Sequence, residues 1–575
     1  MSAQSALGIG GFVISFTAAG YGVLFALRGV PTLRSGIADL GLAYMIGTAA
    51  LGSGLTLWVI GGLPFGLVTV LASAALTATV GTLVGRRRRY REEAREPQSW
   101  PAYVLGAVFL ALVIVLLEAL FRSGRLQGLF GWDAGSFWVP KAHALFATGG
   151  LDEAHFSTLP GPGYPPLVPV LQASAFEFMG SVDVVALHTL YFTLIVGFVA
   201  AAPRLLRLLA SAVAIWGALL LVLAAHRVVA DGLTPQGDMI LDIYVALAVA
   251  AVALWIDRGE WHSIAFATIF LVAAVLTKRE GLLLVVAVGV GLVVAYGRRW
   301  RTSAPLVAIL VGIPIVATIP WRVWYTSRSL PGQGPESGPL DLLDTLDRLW
   351  PSAKLSISTV SDPQLWSLVV VVMLLVAIAA LLLGERMLPL FALSFAAAAV
   401  LGFTWVMWSF PSLPLTDNGA LNPIRRLAGG LVLPAAMLAA VLMQQVVDGL
   451  RFRLPRAPSA RFRGLTMAVV VYVAIAYPAG VLAFRGLPRF PGVGDCAATV
   501  QGDPFLLVYV HRSSLREAWA TADDLASKGF VGVEVRPDGC GRWEVANPDV
   551  NTLEQARGHM EDARRVGIEP RLERP

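Results

Sequence analysis

The stretch Gly131-Trp132-Asp133-Ala134-Gly135-Ser136-Phe137-Trp138-Val139-Pro140-Lys141-Ala142-His143 places a carboxylate, an amine, an imidazole and two indoles just after an apolar run, 102–120, long enough to cross a bilayer. Ionisable groups at the edge of a helical bundle are functional-site candidates, because holding them there costs free energy that packing does not recover. If a helix begins at Asp133, then Asp133, Phe137 and Lys141 share one face at i, i+4 and i+8. A carboxylate against such an apolar wall suits a general base that takes a proton from a hydroxyl. Lys141 supplies positive charge to an anionic group. Trp132, Trp138 and, further on, Tyr164 offer flat apolar faces suited to sugar rings or to a lipid interface. The bland alternative is an Asp133–Lys141 ion pair, with the indoles forming an aromatic belt.

Other charged clusters mark the ends of later apolar runs. Asp238 and Asp242, preceded by Asp231, open the run 239–256 and stand one turn apart, so both carboxylates share a helix face. The macrodipole alone also favours acids at a helix N-terminus. Leu276-Thr277-Lys278-Arg279-Glu280-Gly281 sets three charges between two apolar runs with almost no loop. The chain has four lysines against forty arginines, and two of the four, Lys141 and Lys278, fall in these motifs. Lys278 and Arg279 suit a phosphate at the leaflet surface; a tight turn neutralised by Glu280 is the alternative. Arg425 and Arg426, after Leu421-Asn422-Pro423, suit either a phosphate or a salt bridge to Asp341, Asp344 or Asp417.

The elements that position these residues follow from composition. With 575 residues, 56% hydrophobic, 14% charged and a mean hydropathy of +0.69, the chain has far too little charge for a soluble protein of its length. It reads as a polytopic α-helical membrane protein. About fourteen apolar runs, most of roughly 17 to 24 residues, predict as many transmembrane helices. They lie near 5–28, 38–60, 63–84, 101–121, 184–203, 209–226, 239–256, 262–277, 281–297, 303–322, 366–384, 387–409, 427–447 and 466–485. Alternating sides along these spans puts four arginine clusters on one face: Arg86 to Arg89 with Arg91 and Arg95; Arg204 and Arg207; Arg298, Arg299 and Arg301; and Arg451 to Arg463. That face is predicted to be cytoplasmic in a bacterial plasma or inner membrane. The opening motif, the Asp231 to Asp238 region, the Arg425 loop and the C-terminal tail then lie outside. The first run has neither a basic leader nor a small-residue cleavage site and reads as a retained helix.

Three regions are expected: N-terminal helices over 1–84, a main bundle over 101–485 with outside loops 122–182 and 324–365, and a small domain over 498–575. The tail reads strand (Phe505–Val510), helix from the capping box Ser514-Leu515-Arg516-Glu517 to Gly529, strand (531–535), strand (542–545), helix from Asn551-Thr552-Leu553-Glu554 to Gly567, and strand (568–572). That βαββαβ order predicts an α+β, ferredoxin-like domain. Cys496 and Cys540 both lie in this exported tail, where a disulfide is expected.

The chain carries no Walker A loop, no HExxH, no CxxC and no GxSxG motif. With the charges facing outward, beyond the reach of nucleotide donors, an activated substrate is expected from within the membrane. Across about residues 100–450 the chain resembles the GT-C superfamily of integral-membrane glycosyltransferases, which use polyprenyl-phosphate sugars as donors. The resemblance rests on Trp132-Asp133, Trp138-Val139-Pro140-Lys141-Ala142, Tyr164-Pro165-Pro166, the helix start Asp238 to Asp242, the Leu276 to Gly281 turn, and Asn422-Pro423-Ile424-Arg425-Arg426. It implies Asp133 as catalytic base and a lipid-phosphate site at Lys278, Arg279, Arg425 or Arg426. Many members carry two adjacent acids in the first loop. Here Ala134 follows Asp133, so a second acid comes from Asp152, Glu153 or Asp238, or is absent. The tail, with Tyr509 in its first strand and Arg542-Trp543 in a later one, resembles a SPOR-type glycan-binding domain.

The resemblance thus implies an inverting hexosyl or pentosyl transferase without a cofactor. Its acceptor would be an extracytoplasmic envelope glycan, lipid or protein; nucleic acid is not an expected partner. Substrate contacts are assigned to Trp132, Trp138, Lys141, His143, Asp152, Glu153, Tyr164, Asp238, Lys278, Arg279, Glu280, Arg425 and Arg426. The alternative is a polytopic transporter or flippase of envelope lipids or glycans, which predicts charges near the midplane of two matching halves.

Overall fold

The computed structural model describes residues 2–90, 98–124, 129, 133–153, 156, 161, 163–328, 330, 343–410, 415, 423–450, 459–485, 506–538, 542–548, 550 and 552–573. Trp132 and the pair Cys496 and Cys540 lie outside the described residues.

Apolar segments can cross hydrocarbon only if every backbone group is bonded internally, and a helix does this within one segment. Among the described residues ten helices are long and apolar enough to cross a membrane. They are α1 (Ala3–Arg28), α2 (Leu40–Ile60), α3 (Leu67–Arg86), α4 (Trp100–Gly124), α7 (Val184–Leu206), α9 (Gly237–Arg258), α12 (Ala304–Thr326), α14 (Met387–Ser409), α15 (Pro423–Gly449) and the Ala460–Tyr477 part of α16 (Ala460–Arg485). The remaining predicted spans are helical but differ in kind. Ala212–Leu223 (α8) bends by 73° into the short helix His226–Gly232, while Trp261–Thr277 (α10), Gly281–Tyr296 (α11) and Val369–Leu382 (α13) are shorter apolar helices. Two further helices belong to the first loop, α5 (Val139–Thr148) and α6 (Leu167–Met179).

The centre of the bundle is the pair α9 and α15. In each, 89% of the most apolar stretch is buried, against 11% for α4 and 17% for α3 at the rim. Helix α9 packs on α7, α10 and α15, and Gly259 closes it in the left-handed region. Asp238 stands in its first turn and Arg258 in its last. At ~1.5 Å per residue they lie about 30 Å apart along the axis, the thickness of a hydrocarbon core. The two ends of α9 therefore mark two opposite faces, one bearing Asp238 and the other the arginine-rich connections.

The opening motif departs from a regular α-helix. Ala134–Trp138 forms a π-turn, running into α5 at Val139 with Pro140 in its first turn. A π-turn takes up an extra residue and shifts the phase of everything after it. The expected i, i+4, i+8 face is broken for that reason. Lys141 keeps its place over the Phe137 ring, 5.1 Å from its centroid, but it forms no ion pair with Asp133.

The tail folds as β1 (Leu506–Arg512), α17 (Leu515–Ser527), β2 (Glu534–Pro537), β3 (Trp543–Asn547), α18 (Leu553–Arg565) and β4 (Arg571–Glu573). The sheet is antiparallel throughout, in the order β2-β3-β1-β4. Ser514 caps α17 by accepting the Glu517 N–H at 3.2 Å, and Thr552 caps α18 by accepting that of Gln555 at 3.2 Å. Leu507, Tyr509, Trp543 and Val545 face the two helices in a separate core. The edge strand β2 lies beside the π-turn of the first loop.

Candidate active site

Three segments far apart in sequence deliver one charge cluster. Asp133 enters at the start of the π-turn, Asp238 from the first turn of α9, and Arg426 from the first turn of α15. The Arg426 Nη2 donates to Oδ2 of Asp133 and, at 2.9 Å, to Oδ2 of Asp238; its Nε adds a 3.3 Å contact to the same Asp238 oxygen. A guanidinium presents its donors in a fixed fork, so one arginine can bridge two carboxylates where a lysine acts as a point charge. On the other side of Asp238, the Lys278 Nζ donates to Oδ1 at 2.6 Å and lies 3.8 Å from Glu280. Asp238 and Lys278 are each 3% exposed at the side chain, Asp133 13% and Arg426 22%. The cluster thus opens toward Asp133 and Arg426 and closes toward Lys278.

A second layer holds the loop over this cluster. The Gly161 carbonyl accepts from Lys141 Nζ at 2.6 Å. The Gly163 carbonyl accepts from Arg279 Nε at 2.9 Å and from the Trp321 indole at 3.1 Å. A Cβ on Gly163 would coincide with the Arg279 guanidinium, so any larger residue must push that side chain aside. Tyr164 stacks on Phe137 at 5.7 Å and donates its hydroxyl to Glu280 at 3.2 Å. Glu280 beside it, and burial, hold the Tyr164 phenol well above its ordinary pKa. Burial, with Arg279 nearby, lowers the Lys141 ammonium from 10.5 to about 7. Phe156, Trp321 and Trp324 close the loop in an aromatic cluster.

The sequence-assigned residues divide between the cluster and its surroundings. The second acid beside Asp133 is Asp238; Asp152 and Glu153 are not bonded to Arg426, and Glu153 pairs with Arg328 at 3.5 Å. Arg426, not Arg425, joins the cluster, since consecutive helix residues point about 100° apart. Arg279 and Lys141, expected on an anion, hold backbone carbonyls of the loop. His143 is half-buried and bonds to none of Asp133, Tyr164, Asp238, Lys278, Glu280 or Arg426. Trp138 is fully buried against Phe137 and Tyr164, so it forms a wall rather than an exposed sugar platform. Its indole N–H has no hydrogen-bond partner among the described residues.

Two features escaped the sequence reading. Asp231 turns away from the cluster to Arg227, 2.8 Å off, and to Gln236 at 3.3 Å; the i,i+4 spacing of Arg227 was the available signal. Asp242, one turn below Asp238, packs directly against the backbone of Gly429, where any Cβ would meet its carboxylate. The Gly429-Gly430 pair one turn past Arg426 marks that close approach. Among the described residues, no group of three His, Cys, Asp or Glu side chains is arranged to hold a metal ion.

Fold and site together define a multi-pass membrane protein with a bridged carboxylate pair at the head of its two central spans. No protein-family model, no curated protein and no solved structure matches the chain.

Proposed function

We propose that this protein is a membrane glycosyltransferase that moves a sugar from a polyprenyl-phosphate donor to an envelope acceptor at the face bearing Asp133. The observation that carries the reading is Arg426 bridging Asp133 and Asp238, with Lys278 behind. It is a base candidate and a phosphate-binding cation already in contact.

In this reading the donor phosphate approaches from the bilayer and competes with Asp133 for Arg426. The donor phosphodiester carries one negative charge as it binds and gains a second as the bond to the sugar breaks, so its hold on the guanidinium strengthens through the reaction. Drawing Arg426 toward it releases the Asp133 carboxylate. Asp133 then accepts the acceptor hydroxyl proton while the acceptor oxygen bonds to the anomeric carbon. The bond from that carbon to the phosphate oxygen breaks, and the lipid phosphate departs with the electron pair. Arg426 and Lys278 stabilise its growing charge. Donor binding and base release are thereby coupled. The single displacement inverts the anomeric centre. The positive-inside pattern supports an extracytoplasmic position for this face, and the tail, with β2 beside the π-turn, is suited to present a glycan acceptor.

The test is transfer from a labelled polyprenyl-phosphate sugar by reconstituted protein. Asp133→Asn should lose at least about 100-fold in rate, the scale of general-base catalysis, with donor binding retained. Equal transfer by both proteins sinks the assignment of Asp133. Failure of the wild type with every polyprenyl-phosphate sugar supplied sinks the reading itself.

A further inference from the structure

A cavity of about 770 Å³ opens on the arginine-rich face, at the far ends of the same helices that carry Asp238 and Arg426. Its wall comes from α4, α8, α13 and α15, with Gly217, Leu221, Val372 and Ala436 among the apolar lining. The charged residues of its lining, Arg207, Asp257, Arg258 and Asp448, lie at the mouth, with glutamines and serines beside them. Between Ala436 at the floor and Asp448 at the mouth, α15 rises about 18 Å, close to the ~15 Å of one leaflet of hydrocarbon. The cavity is therefore apolar for the depth of a leaflet and charged only where a headgroup would sit.

The mouth carries both signs. Arg258 donates to the Leu208 carbonyl at 3.0 Å and lies 3.0 Å from Asp257, while Gln444 donates to Asp448 at 2.9 Å. The buried Oε1 of Gln445 has no hydrogen-bond partner among the described residues. A buried acceptor in that state calls for a donor, at a cost of roughly 1–3 kcal/mol if none arrives.

We infer that this cavity is a binding site for one zwitterionic phospholipid of the adjacent leaflet. One acyl chain occupies the apolar shaft, the phosphate faces Arg207 and Arg258, and the headgroup ammonium faces Asp448 and the Gln445 carbonyl. An anionic headgroup brings further negative charge beside Asp257 and Asp448 with no cation to offset it, which is why a zwitterion fits better. The site is separate from the Asp133 cluster and does not rest on the transfer reaction.

The experiment uses the full chain reconstituted in bilayers of equal phosphatidylethanolamine and phosphatidylglycerol, then delipidated in detergent and weighed by native mass spectrometry. A single phosphatidylethanolamine should stay with each wild-type chain. Ala440→Phe, which fills the shaft, should cut its retention roughly tenfold. Asp448→Asn, an exposed change at the mouth that leaves the shaft intact, should shift the retained lipid toward phosphatidylglycerol. Thermal melts of both variants separate lost binding from lost folding, and Asp448→Asn decides the matter if Ala440→Phe does not fold. No retained lipid, equal retention by a folded Ala440→Phe protein, no change of lipid in Asp448→Asn, or retention of an anionic lipid by the wild type overturns the inference.

Discussion

Replacing Arg426 by Gln removes the one cation that Asp133 and Asp238 share. Both carboxylate oxygens bond the same Nη2, so they lie within about 5 Å of each other by ordinary hydrogen-bond geometry. Two unit charges at ~5 Å, with an effective dielectric of ~20, repel by about 3 kcal/mol. Lys278 remains, but it is committed to Asp238 and Glu280 and does not reach Asp133. Orphaning a partly buried carboxylate by deleting its partner carries a cost of similar size, so about 3 kcal/mol is the expected loss. The assay is a double-mutant cycle on denaturation in lipid nanodiscs, with Arg426→Gln, Asp133→Asn and the double variant. The double variant has no orphan charge and should recover most of the loss, giving a coupling energy near 3 kcal/mol. Arg426→Lys should recover only part of it, because a point charge cannot bridge both acids. An Arg426→Gln protein as stable as the wild type, or additive single effects, would refute the shared-cation argument.

Gly163→Ala should displace the Arg279 guanidinium and cost roughly 1–3 kcal/mol through the lost bond to the loop carbonyl; limited proteolysis of the loop reads this out, and Arg279→Ala added to it should not worsen it further. Lys141 titrates near 7 when folded and at 10.5 in its ordinary state, so between those values the unfolded chain binds a proton that the folded chain does not. Stability should therefore rise with pH above about 7, by up to ~1.4 kcal/mol per unit. Lys141→Met should flatten the added slope in melts recorded from roughly pH 6 to pH 9. Gly429→Ala forces a methyl against the Asp242 carboxylate and should lower the melting point, at a cost of about 1–3 kcal/mol; Asp242→Ala in the same chain should restore part of it.

Much of the fold was legible because it depends on one-dimensional quantities. Run length and hydropathy predicted helices wherever the chain is apolar for long enough, and Ser514 and the Asn551-Thr552-Leu553-Glu554 motif marked the starts of the two tail helices. Bending was not legible. The 73° break after Leu223 falls within one apolar run, so hydropathy reads straight through it. In the site, residue types could be listed but their pairings could not. Periodicity suggested Asp133 with Lys141, and a single π-turn undid that by shifting phase. Arg425 and Arg426 are indistinguishable by type, and only the rotation of α15 about its axis decides which one meets the acids. Arg279 looked like a phosphate ligand because nothing in its own motif reveals that Gly163, more than a hundred residues earlier, presents a carbonyl to it.

The Asp133–Arg426–Asp238 bridge also has a consequence for how the protein is made. Arg426 follows Asp133 by 293 residues and Asp238 by 188. Chains leave the ribosome at about 5–20 residues per second, so Asp238 waits roughly 10 to 40 s in the membrane before its guanidinium is synthesised. During that interval two acids destined to be neighbours hold no common counterion. Lys278, 40 residues after Asp238, reaches that acid first, but Asp133 has no cation until α15 inserts, and a chain that stops early displays that carboxylate uncompensated. The cluster proposed for chemistry in the finished protein thus also registers that synthesis has reached the later spans.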